Sequence, residues 1–249
     1  MDVKCPQCGA AVSVIEGQMF LTCGYCSSAI YIDRGKVVFH YMLKPTLDQS
    51  AADASLRRWM AGSRTVKGLE NEAQITGKEF IYFPVWYFKI KNSEAEKIKI
   101  QPASPTPIPD IKDMPIPAGN LRFYDKNDEG NTAVKQPQVL YTSALEWLSG
   151  EGVNVSTITQ SALVHIPLYI YHYRYKDNDY SAVLDGSSGK VMAVEFPSKS
   201  EIPYLLVGGG ATVLFFIEGM TMDFPGVLGV YVISAIFVII AATFVAEKV

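Results

Sequence analysis

Four cysteines stand in two pairs, Cys5-Pro-Gln-Cys8-Gly and Cys23-Gly-Tyr-Cys26, each a C-x2-C, with fourteen residues between the pairs. Two-residue spacing lets successive thiolates converge on one ion from a tight turn, and two such turns complete a tetrahedral S4 site. Zinc in a structural role fits that ligand set. An iron site can use the same four sulfurs, and two disulfides would require an oxidising compartment. With Cys5, Cys8, Cys23 and Cys26 filling the coordination sphere, the expected Zn2+ is structural, one per chain, with no position open to water or substrate.

Other residue types that could do chemistry form no comparable set. His40, His165 and His172 each lie in an apolar, strand-like stretch without a neighbouring acid or nucleophile, and read as core or strand-face histidines. There is no phosphate loop, nucleophile elbow, HExxH or dinucleotide fingerprint, so the chain is not expected to be an enzyme. Asp125-Lys-Asn-Asp-Glu-Gly130 opens like a calcium loop, but its twelfth position is Gln136, and it reads as a solvated turn. Arg57, Arg58, Arg64 and Lys67 gather around Trp59, a combination able to grip anionic lipid headgroups or nucleic acid; the simpler expectation is a solvated helix face.

The elements that must position the cysteines follow from pattern. Gly9 and Gly24 suit the cysteine turns. Val12–Ile15 and Met19–Thr22 around Glu16-Gly17-Gln18 predict a hairpin, and Ala29–Asp33 a third strand, giving a zinc ribbon over residues 1–35.

Residues 36–200 carry what reads as one unit twice. Phe83-Pro-Val-Trp-Tyr-Phe-Lys-Ile90 matches Ile166-Pro-Leu-Tyr-Ile-Tyr-His-Tyr173, and Ser55–Gly62 matches Ser143–Gly150 through Ser, Trp and a closing Gly. Each copy predicts a leading strand (Phe39–Leu43, Asn120–Tyr124), a helix and a proline-started strand running into a meander. The first helix, from about 48 to 61, has its cap at Asp48 and its end at Gly62. The expected class is α+β, with repeats over 36–101 and 118–200, each an antiparallel sheet with a helix on it. Between them, residues 102–117 hold six prolines and read as an extended connector.

The C-terminal fifth differs in kind. Residues 203–246 contain no Lys or Arg and only two acids, Glu218 and Asp223. Residues 224–246 form an uncharged run of 23 residues, roughly 34 Å as a helix and enough for a bilayer core of about 30 Å. Residues 203–222 give a second, shorter span. The short Thr221–Pro225 connection makes the two an antiparallel transmembrane hairpin, with Glu218 near one interface and solvated. Lys199 before the first span and Lys248 after the second place both termini and the soluble domains in the cytoplasm, against an inner membrane. Glycines at 208–210, 226 and 229 permit close helix approach or are merely tolerated in lipid.

Charge narrows the partners. Residues 1–201 hold 21 of the 22 basic and 22 of the 25 acidic side chains. With no basic excess, strong nonspecific nucleic-acid binding is not expected. A 49% hydrophobic composition with 14 Tyr and 12 Phe can bury a core and excludes a disordered tail. MDVKCPQCG has no apolar region behind Lys4 and does not read as a signal peptide.

The cysteine quartet, the Phe83-Pro-Val-Trp86 and Ile166-Pro-Leu-Tyr169 strands, Asp185-Gly-Ser-Ser-Gly189-Lys-Val and the terminal hairpin together resemble a group of prokaryotic membrane-tethered zinc-ribbon proteins. The resemblance spans essentially the whole chain, and residue by residue it transfers the four cysteines. Some members carry a transcription-factor-IIB-like or primosome-like label through the ribbon alone. Others are encoded beside SPFH (flotillin-like) and phage-shock-protein-A-type membrane-stress proteins. The resemblance implies a noncatalytic adaptor or scaffold at the inner membrane face, with protein partners and room for oligomerisation. The alternative is a membrane-tethered nucleic-acid-binding module that uses the ribbon.

Overall fold

The computed structural model describes residues 2–91, 95–130, 132–200, 202–221 and 226–248. It is of mixed α+β class and divides into two compact units, Met1–Trp59 with Ala73–Phe196, and Met60–Glu72 with Pro197–Val249.

In the first unit, β1 (Asp2–Lys4) pairs with β2 (Ala11–Ser13) as a small antiparallel sheet. β3 (Phe20–Thr22) pairs with β4 (Ala29–Asp33), which pairs in turn with β5 (Lys36–Leu43) through a two-residue turn at Arg34-Gly35, both at positive φ. The expected hairpin between Val12–Ile15 and Met19–Thr22 does not form. A turn is present there, with the Gln18 N–H donating to the Ile15 carbonyl at 3.0 Å. Each flanking strand pairs instead across its own cysteine turn, because a C-x2-C can aim two thiols at one point only if the chain on either side of it is drawn together.

α1 (Gln49–Met60) starts as expected, the Asp48 carboxylate accepting from the Ala51 N–H at 2.8 Å. After α2 (Leu69–Glu72), which belongs to the second unit, come β6 (Gln74–Lys91), β7 (Glu96–Pro102), β8 (Leu121–Phe123), β9 (Ala133–Val134) and α3 (Tyr141–Gly150). The unit closes with β10 (Ile158–Tyr175), β11 (Asn178–Asp185) and β12 (Val191–Met192).

Strands β3 to β12 form one ten-stranded sheet rather than two antiparallel sheets. Its centre is the antiparallel pair β6 and β10, each 18 residues long, with Val85 opposite Val164 and Pro84 opposite His165. The outer edge of β10 takes β5 in parallel at 162–165 and then β11 from Leu168 onward. The outer edge of β6 takes β9 in parallel at 81–82 and then β7 from Val85 onward. Pro84 and Pro167 fall where one outer partner hands over to the next. Their carbonyls accept from Ala103 N–H and Gly186 N–H on that outer side, so the ladder to the central neighbour loses no donor there. The leading strand expected at 120–124 is β8, which lines up antiparallel on β5; the parallel place on β6 belongs to β9.

Side-chain alternation gives the sheet two buried faces. Phe83, Val85 and Tyr87 with Ala162, Val164, Ile166 and Leu168 build one core; Trp86, Phe88 and Leu163 build the other, against Tyr141, Ala144 and Leu148 of α3. The proline-rich stretch is not the extended connector expected of it. Its apolar residues between prolines, Ile108, Ile111, Met114 and Ile116, are buried in the first core, around a 3-10 turn at Pro109–Asp113. Prolines set the path of this segment, and those four side chains tie it down.

In the second unit, residues 60–72 are joined by backbone to the approach to α4 (Ile202–Thr221). Val66 N–H donates to Pro197 O at 2.9 Å, Lys199 N–H donates to Arg64 O at 3.3 Å, and Thr65 bridges Ser198. α4 and α5 (Gly226–Lys248) are long and apolar enough to cross a membrane, with mean hydropathies of 1.5 and 2.6, and they pack against each other. The turn expected over Thr221–Pro225 lies, beyond Thr221, outside the described residues. Glu218 was expected to be solvated; it is only 9% exposed and faces α5, where the Ser234 hydroxyl donates to it. One turn along, Tyr231 OH donates to the Phe215 carbonyl at 3.0 Å and leaves no room for a side chain at Gly219, whose Cβ would lie 2.5 Å from that oxygen.

Candidate metal centre

Each cysteine pair occupies the turn of its own hairpin, Cys5 and Cys8 between β1 and β2, Cys23 and Cys26 between β3 and β4. The two turns are built alike. Cys5 N–H donates to Ala10 O at 2.9 Å and Gly9 N–H to Cys5 O at 3.0 Å; Cys23 N–H donates to Ser28 O at 2.9 Å and Ser27 N–H to Cys23 O at 2.9 Å. The left-handed position is Gly9 (φ +74°) in the first and Ser27 (φ 58°) in the second. Gly24, expected to relieve the second turn, is not the residue that needs positive φ.

The four Sγ atoms all lie within 4.8 Å of one another, with Cys5 to Cys26 at 3.6 Å and Cys8 to Cys23 at 3.8 Å. A regular tetrahedron of sulfurs about 2.3 Å from a central ion has edges of about 3.8 Å, so the donor set fits a tetrahedrally coordinated metal. Cys5 and Cys23 are buried, Cys26 half-buried and Cys8 exposed, with Val3, Ile30 and Ile32 packed beside the two buried thiols. The Ser28 hydroxyl and backbone, aided by neighbouring sulfurs, draw the Cys26 thiol down to about 6. The Ala10 backbone acts in the same sense on Cys8, but desolvation and the other three sulfurs outweigh it and push Cys8 up to about 12. Thiols this close resist joint ionisation, and a cation at their centre removes the conflict. An ion held by all four sulfurs would have a filled tetrahedral sphere and would tie the two turns together.

Among the other residues singled out from sequence, Arg57, Arg58 and Trp59 end α1, with Trp59 edge-on to Phe196 at 5.3 Å; Arg64 and Lys67 belong to the 60–72 segment of the second unit. All four basic side chains are exposed. Asp125 caps a short 3-10 turn by accepting from Asn127 N–H at 2.8 Å.

Sequence reasoning missed a pairing of histidines. His40 on β5 and His165 on β10 are each 1% exposed, and His40 Nε2 lies 3.0 Å from His165 Nδ1. Burial, then the neighbouring His165, holds His40 well below the usual histidine range; burial lowers His165 to about 4, against an upward pull from the Lys135 carbonyl. The two stand 125 residues apart, and only the parallel β5–β10 pairing brings them together. His172 is on the exposed side of β10, its Nδ1 2.8 Å from Ser181 Oγ.

No protein-family model, curated protein or solved structure matches the chain.

Proposed function

We propose that the chain is a noncatalytic adaptor, anchored in the inner membrane by a hairpin of α4 and α5, that presents a zinc ribbon and a sheet platform to protein partners in the cytoplasm. One Zn2+ held by Cys5, Cys8, Cys23 and Cys26 fixes the ribbon. Flotillin-like (SPFH) or phage-shock-type assemblies at the membrane are the partners the sequence resemblance favours.

The observation that carries this proposal is on the ribbon surface. Ile15 and Tyr25 are 77% and 78% exposed, on the loop before β3 and in the second cysteine turn, and Met19 is 46% exposed. A closed metal site contributes no reactivity, so large apolar side chains displayed around it make sense as a docking surface. The near-neutral soluble part offers nucleic acid no comparable attraction.

The sheet platform is, on the same proposal, an internal duplication. Its support is the mirrored pairing of β6 and β10, in which each long strand takes a short strand of the other half in parallel, β9 on β6 and β5 on β10, and its own hairpin mate antiparallel, with a proline at the handover. Substituting Ile15→Asp together with Tyr25→Asp tests the adaptor role. Co-purifying partners are expected to fall at least tenfold with zinc content unchanged; unchanged partner recovery would exclude the ribbon as the docking surface.

A further inference from the structure

A cavity of about 700 Å³ opens where the ribbon meets the sheet, bordered by Phe20, Phe123 and Tyr124, by both buried histidines, and by Lys126 at its polar side. The hydrogen bonds at its wall run in one direction only. His165 Nε2 lies 3.2 Å from the Lys135 carbonyl, which can only accept, so this nitrogen carries the proton and His165 Nδ1 is an acceptor. His40 Nε2 is 3.0 Å from that acceptor and must donate to it. His40 is therefore also the Nε2–H tautomer, which makes its Nδ1 an acceptor, on a ring that lines the cavity.

The surroundings select what could use that lone pair. The His40 ring is stacked on Tyr124 at 4.0 Å and 17°, and Phe20 leans on it at 5.1 Å, so flat π surfaces surround the acceptor. Asp125 and Lys126 stand side by side with opposite charges and favour neither an anion nor a cation. A flat, uncharged molecule with a ring N–H satisfies both conditions, because it stacks on the aromatic walls and donates to an acceptor that burial keeps unprotonated.

We propose that this cavity is a binding site for a small neutral N-heteroaromatic molecule, held by an N–H donated to His40 Nδ1 and by aromatic contact with Phe20, Phe123 and Tyr124. Thr22 and Ser27 of the second cysteine hairpin also line the cavity, but ligand binding is read separately from metal content and partner recovery, so the proposal can fail or hold independently of the adaptor proposal.

The test uses full-length, metal-loaded protein in detergent and ligand-observed NMR with indole, benzimidazole and N-methylindole. Saturable binding of indole or benzimidazole at one site per chain is expected, weakened at least tenfold on methylating the donor nitrogen or in His40→Phe. Phe123→Ala, at a half-exposed wall position, is expected to weaken binding severalfold while metal content and circular dichroism stay unchanged, and it decides the matter if His40→Phe does not fold. The proposal is overturned if neither N–H probe binds saturably, if N-methylindole binds as well as indole, or if a folded variant binds like the wild type.

Discussion

At the scale of single residues, the two cysteine turns differ in one telling position. Gly9 takes its left-handed conformation freely, whereas Ser27 holds φ 58° with a side chain attached. Ser27→Gly should therefore stabilise the folded chain by about 0.5–1 kcal/mol, read as a rise in denaturation midpoint; a loss would mean that the Ser27 side chain makes a compensating contact. The histidine pair sets a pH dependence. His165 is lowered to about 4 from an ordinary value of 6.5, so between those limits the unfolded chain binds a proton that the folded chain does not. Stability is greatest above 6.5 and falls as pH drops toward 4, by roughly 2–3 kcal/mol for this group. Urea titrations at pH 7.5 and pH 4.5 should show that loss in the wild type and a smaller one in His165→Gln. Gly219 is fixed by the 2.5 Å approach of Tyr231 OH to its missing Cβ. Gly219→Ala should cost the hairpin on the order of 1–3 kcal/mol, and adding Tyr231→Phe should recover part of it, as measured by thermal unfolding in detergent.

At the scale of elements, the proline-rich stretch makes the sharpest contrast between sequence and structure. Six prolines in sixteen residues are a true signal of restricted backbone, and restricted backbone by itself suits a spacer. What decides its role is the spacing of Ile108, Ile111, Met114 and Ile116, which all turn to one side and are buried. Ile111→Ala should cost about 2–4 kcal/mol of stability in chemical denaturation, whereas a solvated connector would tolerate it unchanged. The cysteine spacing was legible because ligand geometry leaves few alternatives, and so were the cap at Asp48 and the two apolar helices. Strand partners were not legible. The pattern at Val12–Ile15 and Met19–Thr22 admits a hairpin, and only the demand that each cysteine turn close on itself selects β1 with β2 and β3 with β4.

At the scale of the whole molecule, the second cysteine hairpin is part of the large sheet rather than a separate bead, since β4 pairs along β5 and Tyr31 packs against Trp86 at a ring distance of 5.6 Å. The Asp33 carboxylate, at the end of β4, accepts from Tyr141 N–H at 2.6 Å and so caps α3 from the ribbon side. Metal removal is therefore expected to loosen more than the first 35 residues. Such long-range dependence, like the His40–His165 contact, lies in topology and leaves no trace in local residue patterns. Affinity purification of the full-length chain from its own membranes, with zinc quantified and co-purifying chains identified by mass spectrometry, is the direct test of a metal-bearing membrane adaptor. One zinc per chain, held in the membrane fraction with a stoichiometric protein companion, is the predicted result; a chain without metal, or one with metal that reproducibly comes out alone, would contradict it.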